Sequence, residues 1–298
     1  MREDIRYITK VEIERLWGYE DLNFVWNLNP DVNILAGDNG SGKSTFLKLI
    51  DVTLRREQEE TEILKKAASV KVQFDNGNVF ISELNENFQP ILEIRNVNGY
   101  IKESSGSSAF INTFEQPLRD IETIKRATNS EVSTELDLRI AALQKKYLGY
   151  QINIGNRAIK ALENGENGIS SINAKKTLFL DTIDALFSHT QKKIDRTQNE
   201  ITFIQRGEKA ISPYQLSSGE KQMLIIFLTT LVQDNKHFIM LMDEPEISLH
   251  TDWQENLIDN IRKLNENVQI IIATHSPSIV VNGWKDKVFE ISEIQTKN

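Results

Sequence analysis

The stretch Gly37-Asp38-Asn39-Gly40-Ser41-Gly42-Lys43-Ser44-Thr45 has the make-up of an anion cradle. Its spacing, G-x-x-x-x-G-K-S/T, lets the backbone bend so that N–H groups point at phosphate oxygens, and the following helix adds the positive end of its dipole. Lys43 places a charge at the β- and γ-phosphates of a nucleotide, and the Ser44 hydroxyl is a ligand for Mg²⁺. Farther along, the apolar run Phe238–Met242 ends in Asp243 and Glu244. A carboxylate at the end of a buried strand can hold Mg²⁺, which is the role read for Asp243. Glu244 is then placed to orient and deprotonate an attacking water. In Leu216-Ser217-Ser218-Gly219-Glu220-Lys221-Gln222, the Ser217 hydroxyl, the Gly219 N–H and a helix start could receive a γ-phosphate, or could form a plain N-cap. Thr274-His275-Ser276-Pro277 closes another apolar run, Val268–Ala273.

These residues need elements to carry them. Val32–Ala36, Phe238–Met242 and Val268–Ala273 read as buried strands, and Ser44–Arg55, Gly219–Gln233 and Asp252–Asn265 as helices. All-apolar strands alternating with helices predict a parallel sheet covered on both faces. Residues 7–16, Leu22–Trp26 and the hairpin 69–82, with Asp75-Asn76-Gly77-Asn78 at its tip, predict a separate β region. Between these parts the texture turns helical. Val132, Leu136, Ile140, Leu143 and Tyr147 fall on one helix face, with a continuation through Gln151, Ile154, Ala158 and Leu162. A second helix is expected over Ala174–Ile194, giving either a packed helical subdomain or a protruding hairpin. The expected division is residues 1–116, 117–211 and 212–298.

The chain has 298 residues, 39% hydrophobic and 26% charged, which excludes a disordered or fibrous chain. No apolar run approaches the roughly 20 residues of a membrane helix. The N-terminal residues lack the apolar core of an export signal, so the cytoplasm is the expected compartment. With no cysteine, disulfides and Cys-ligated zinc are excluded. The net charge of −8 argues mildly against a surface built for nucleic acid. The span Arg119–Glu200, with 13 basic and 11 acidic side chains, could still offer a local track.

The four segments, in this order, resemble the ABC-type P-loop ATPases over residues 7–50 and 210–290. GDNGSGKST, LSSGEKQ, DEPEISLH and ATHSP are similar to the SMC-like, RecF-like and OLD-type branch, and to stand-alone ATPases of bacterial antiphage systems of the Septu, PARIS and retron types. The resemblance implies an α/β ATPase head with a mainly parallel sheet, an antiparallel β subdomain and an inserted helical part. It implies ATP and Mg²⁺ as cofactors, and catalytic roles for Lys43, Glu244 and His275, the last contacting the γ-phosphate. Asn39, Gly40, Ser41, Gly42, Lys43, Ser44 and Thr45 would hold the nucleotide. Ser44 and Asp243 would hold the metal, and Ser217 and Gly219 would reach a nucleotide on a second copy. Gln116, with Gln73 second, is the candidate for sensing Mg²⁺, and Trp17 or Tyr19 for contacting adenine. Pro245–His250 would form a loop along the dimer seam.

The expected function is an ATP-driven switch, a homodimer or higher homo-oligomer closed head to tail around ATP, controlling an effector such as a nuclease or toxin. Only 23 residues follow His275, so that effector is expected on another chain. The competing reading is a DNA-repair or DNA-clamping ATPase with Lys145, Lys146, Arg157, Lys160, Lys175, Lys176, Lys192 and Lys193 on the duplex. A membrane transporter's subunit is disfavoured by the 174 positions between Lys43 and Ser217. A non-hydrolysing scaffold is disfavoured by Glu244.

Overall fold

A computed structural model describes residues 5–56, 61–96, 99–100, 108–112, 131–165, 169–206 and 209–296. Its contacts group into two units. The first comprises residues 1–112, 236–246 and 267–298, and the second residues 113–235 and 247–266.

The first unit holds two sheets. Five parallel strands run in the order Val288–Glu290, Val32–Ala36, Val268–Ala273, Phe238–Asp243, Ser108–Asn112. Phe238–Asp243 and Val268–Ala273 are buried at every position, as the mainly apolar strands of a parallel sheet are, with Asp243 and Gln269 the polar exceptions. The other sheet is antiparallel, in the order Gln295–Thr296, Asn23–Asn27, Ile8–Glu14, Ser69–Phe74, Val79–Leu84, Pro90–Asn96, Gly99–Tyr100. Helix α1 (Lys43–Arg55) and the short α2 (Thr61–Leu64) belong to the same unit. Phe46, Leu47, Leu49 and Ile50 of α1 join Trp26, Leu35, Leu241 and Ile271 in one apolar core. The buried polar side chain of Gln269 closes a gap: its amide takes the Ile8 N–H at 2.7 Å and donates to the Ile8 carbonyl at 2.8 Å.

The second unit contains α3 (Glu135–Glu163), α4 (Ile169–Leu186), α5 (Ser218–Leu231), α6 (Thr251–Glu255) and α7 (Leu257–Leu264). Helix α3 starts on a capping box in which the Thr134 hydroxyl accepts from the Asp137 N–H and the Asp137 carboxylate accepts from the Thr134 N–H. Its buried face carries Leu136, Ile140, Leu143, Tyr147 and Ile154. Leu162 departs from the expected seam: it is 64% exposed, and Ala161 turns inward instead. The helix runs unbroken through Gly149 and Gly155, because packing outweighs a cost of roughly 1 kcal/mol per glycine.

Two expected helices are corrected. The one expected over Ala174–Ile194 ends at Leu186; a 3-10 turn follows, and Lys192–Ile194 forms a small antiparallel sheet with Phe203–Gln205 and Lys209–Ile211. Gln191, at φ 54, is the break. The one expected over Asp252–Asn265 splits into α6 and α7 at Asn256, whose φ/ψ of −102/4 is not helical.

Helix α5 is buried at every position from Gly219 to Leu231. A Cβ at Gly219 would lie 2.2 Å from the Ser248 carbonyl oxygen, so only hydrogen fits between the two backbones. Gly219→Ala is expected to cost about 1–3 kcal/mol, the usual range for overpacking, read as a lower urea midpoint. An unchanged midpoint would show that this approach is not tight. Among the described residues, no helix is long and apolar enough to cross a membrane.

Candidate functional site

The strand Val32–Ala36 delivers the chain into the glycine loop, and α1 begins directly after it. Gly42 is the N-cap of α1, at φ 100, where a Cβ would meet the Trp17 ring at 2.8 Å. With no side chain there to cap the first turn, the helix N–H groups stay open to an anion. The Ser41 hydroxyl is buried with no hydrogen-bond partner. Both features suit phosphate.

Five of the expected residues meet within the first unit. Lys43 is 4% exposed, and its ammonium donates to the carbonyls of Gly37 (2.9 Å) and Asp38 (3.0 Å) and lies 2.8 Å from His275 Nε2. His275 Nε2 is also 3.3 Å from Glu244 Oε1. A single ring nitrogen cannot accept from Lys43 and donate to Glu244 at once, so its partner depends on the tautomer. Ser44 Oγ donates to Asp243 Oδ1 at 2.9 Å.

Backbone geometry aims these groups. The Glu244 N–H donates to the Ala273 carbonyl at 2.7 Å, extending the sheet by one bond, and Glu244 then adopts φ 46. A non-glycine residue held there is strained, and such strain clusters at functional sites. Thr274 N–H bonds the Leu35 carbonyl at 3.2 Å, placing the His275 turn beside the glycine loop.

Burial pushes the Asp243 carboxyl above its ordinary value, and Glu244 adds to this; the Ser44 hydroxyl, Lys48 and Lys43 oppose it. Burial likewise lowers the Lys43 ammonium, opposed by Glu244, Asp243, Asp38 and Glu246. A carboxylate held against desolvation beside a hydroxyl is a donor set that gains from a hard cation. Mg²⁺ typically takes one or two protein ligands and completes its shell with water and substrate phosphates. Ser44 and Asp243 fit that pattern; among the described residues no cluster of three or more His, Cys, Asp or Glu could hold a metal alone.

A raised Asp carboxyl contributes stability only while protonated, and loses it as pH rises through the folded value. Asp243→Asn is therefore expected to raise Tm by a few degrees at neutral pH, with the gap to wild type opening as pH rises from the ordinary carboxylate range through the folded value and constant above it. Differential scanning fluorimetry across pH reads this; a lower Tm at neutral pH would refute it.

The second unit holds Ser217 and Gly219. The N-cap reading is realised: Ser217 caps α5 in a capping box with Glu220, whose Oε2 accepts from the Ser217 N–H (2.9 Å) and hydroxyl (3.0 Å). The buried Glu220 also takes Lys192 Nζ (2.7 Å) and Thr190 Oγ1 (2.7 Å). Lys221, next along, meets buried Asp137 at 2.9 Å. Lys192 thus leaves the set of surface lysines. Arg157 bonds Asp234, Lys175 the Lys263 carbonyl and Lys176 Gln151, whereas Lys145, Lys146, Lys160 and Lys193 stand exposed.

Gln116 lies outside the described residues. Gln73 stands exposed on the antiparallel sheet. Trp17 lies against Gly42 and lines a cavity of about 290 Å³ with Gly37, Asp38 and Ser41; Tyr19 is 61% exposed. Glu246 was placed by sequence only in the loop after Glu244. Its Oε1 accepts from Thr274 Oγ1 (2.6 Å), the His275 N–H (2.8 Å) and the Ser276 N–H (3.2 Å). No spacing rule signals that contact, because its partners lie 28 to 30 positions away.

Comparisons with known proteins agree with this geometry. The chain is 21% identical to "Retron Ec83 probable ATPase" of Escherichia coli, over 91% of this chain and 69% of that one. It is 23% identical to "Septu protein PtuA" of Bacillus mycoides, over 91% of this chain and 38% of the relative. It therefore spans well under half of PtuA. Among solved structures, the SmcHead bound to the C-winged helix domain of ScpA matches with a TM-score of 0.60, covering 95% of this chain and 94% of that chain. At 14% identity this likeness shows the fold, an α/β ABC-type ATPase head. The family model described as "AAA domain, putative AbiEii toxin, Type IV TA system" matches residues 32–282, and the chain belongs to that family as a P-loop ATPase.

Proposed function

We propose that this ATPase is a nucleotide-driven switch that closes as a head-to-tail dimer around ATP and Mg²⁺ and controls a separate effector, such as a nuclease or toxin, in antiphage defence. The observation that carries the reading is the Lys43–His275–Glu244 cluster beside Ser44–Asp243. Without nucleotide, these groups satisfy one another. A γ-phosphate offers Lys43 a better acceptor, which frees His275 Nε2 and leaves Glu244 facing the position of an attacking water. Mg²⁺ held by Ser44 and Asp243 would neutralise phosphate charge. Ser217 and the start of α5 on the second copy would complete the site, so that nucleotide favours the closed state by mass action.

The retron and Septu relatives support the defence setting, and the effector is inferred from the same likeness. The DNA-clamp reading draws on the SMC-head fold and on the four exposed lysines, but half of its expected contacts are engaged within the second unit. The test is steady-state ATP hydrolysis with and without double-stranded DNA, beside light-scattering mass with and without ATP. ATP-dependent doubling of mass with a DNA-indifferent rate is expected. A constant mass overturns the dimer switch, and strong DNA stimulation favours the clamp.

A further inference from the structure

We infer that Glu246 is a positioning residue for hydrolysis, fixing through one carboxylate oxygen the turn that presents His275 to Lys43 and Glu244. This rests on the reading of His275 given above.

The need for such a residue comes from the backbone. The strand Val268–Ala273 ends at Ala273, and Thr274 makes the last backbone bond to the Leu35 carbonyl. The next two N–H groups, those of the exposed His275 and the half-buried Ser276, have left the sheet and take partners outside it. Glu246 Oε1 receives both, and the Thr274 hydroxyl as well. Thr274 Oγ1 in turn accepts from the Ser276 N–H at 2.9 Å, and Ser276 Oγ accepts from the Ser278 N–H at 3.2 Å. The turn is thus knitted to a single oxygen atom. Bonds to a carboxylate are roughly twice as strong as neutral ones, so the anchor is stiff.

What the anchor holds is a ring nitrogen balanced between two partners, 2.8 Å from Lys43 Nζ and 3.3 Å from Glu244 Oε1. A displacement of about 1 Å decides whether such contacts form, and misplacement on that scale can cost about 10²-fold in rate. Glu246 is also among the charges that keep Lys43 protonated against its burial. It is the last residue of this stretch of the first unit; Ile247 begins the second. The residue that holds His275 therefore also marks where the chain passes from one unit to the other.

The experiment is ATP hydrolysis by wild type, Glu246→Ala, Glu246→Gln, His275→Ala and the Glu246→Ala/His275→Ala double variant. Binding of a fluorescent ATP analogue checks that each variant folds. Glu246→Ala is expected to lower kcat about 10- to 100-fold with KM for ATP near wild type. Glu246→Gln keeps a carbonyl acceptor and recovers most of that loss, and the double variant is no slower than His275→Ala. Should Glu246→Ala not fold, Thr274→Val removes one of the three donors and lowers kcat a few-fold at unchanged KM.

The assignment is overturned if Glu246→Gln is as slow as Glu246→Ala, if the two losses multiply in the double variant, or if Thr274→Val leaves kcat unchanged. A slow His275→Ala beside a fully active Glu246→Ala removes Glu246 alone. A fully active His275→Ala removes the reading of His275 and this inference with it.

Discussion

Glu244→Gln is expected to bind ATP as wild type does and to hydrolyse it about 10²–10⁴-fold more slowly, the usual worth of a positioned general base. The substitution keeps size and hydrogen-bonding shape but removes the lone pair that takes the proton. Glu244 is directed by a backbone at φ 46 and a 2.7 Å bond from its N–H to the Ala273 carbonyl, and the amide keeps both. Its contact partner at 3.3 Å, His275 Nε2, can still be reached by the amide oxygen. If two copies close on ATP, this variant accumulates in the closed state and its mass doubles without decaying as product forms. Measured by phosphate release and light scattering, a wild-type rate would place the base elsewhere.

Lys43→Ala is expected to weaken ATP binding by about 10²-fold or more, since it removes charge-assisted bonds worth roughly 1.5–3 kcal/mol each. The fold should survive. Burial works against the Lys43 charge, and its present partners include the carbonyls of Gly37 and Asp38, which water can serve in its place. Isothermal titration with ATP reads the loss, and a thermal melt without nucleotide separates it from unfolding. Unchanged affinity would mean that the glycine loop alone carries the phosphates.

The parts of the site that are local in sequence are legible without coordinates. Gly37–Thr45 announces itself because every element of the anion cradle lies within nine consecutive positions, and Val268–Ala273 because a strand buried on both faces is mainly apolar, here at every position but Gln269. The antiparallel hairpin at Asp75–Asn78 follows from its turn residues. What escaped depends on tertiary partners. Glu246 is read only as part of the Pro245–His250 loop along a dimer seam, and its bonds to the Thr274–Ser276 turn appear only in the fold. Lys192 looks like an exposed charge because its partner Glu220 is 28 positions away. The strand at Lys192–Ile194 is hidden by residues with helical spacing upstream, Phe179 and Ile183, and the 3-10 turn Phe187–Thr190 with the left-handed Gln191 separates the two. Ser217 gave two readings, and the capping box realises one of them, pairing with Glu220 the same hydroxyl that the other would offer to a phosphate.

The two buried ion pairs at the start of α5 tie it to two other elements. Lys221 is joined to Asp137, and Asp137 is the residue that closes the first turn of α3, a rod of 29 residues and about 43 Å. Glu220, one position earlier, is clamped to Lys192 on the small sheet. Helix α3 is also buried along one face from Leu136 to Ile154, so a charge change at either Asp137 or Lys221 would be felt at both helix starts, where each ion pair stands beside a capping box.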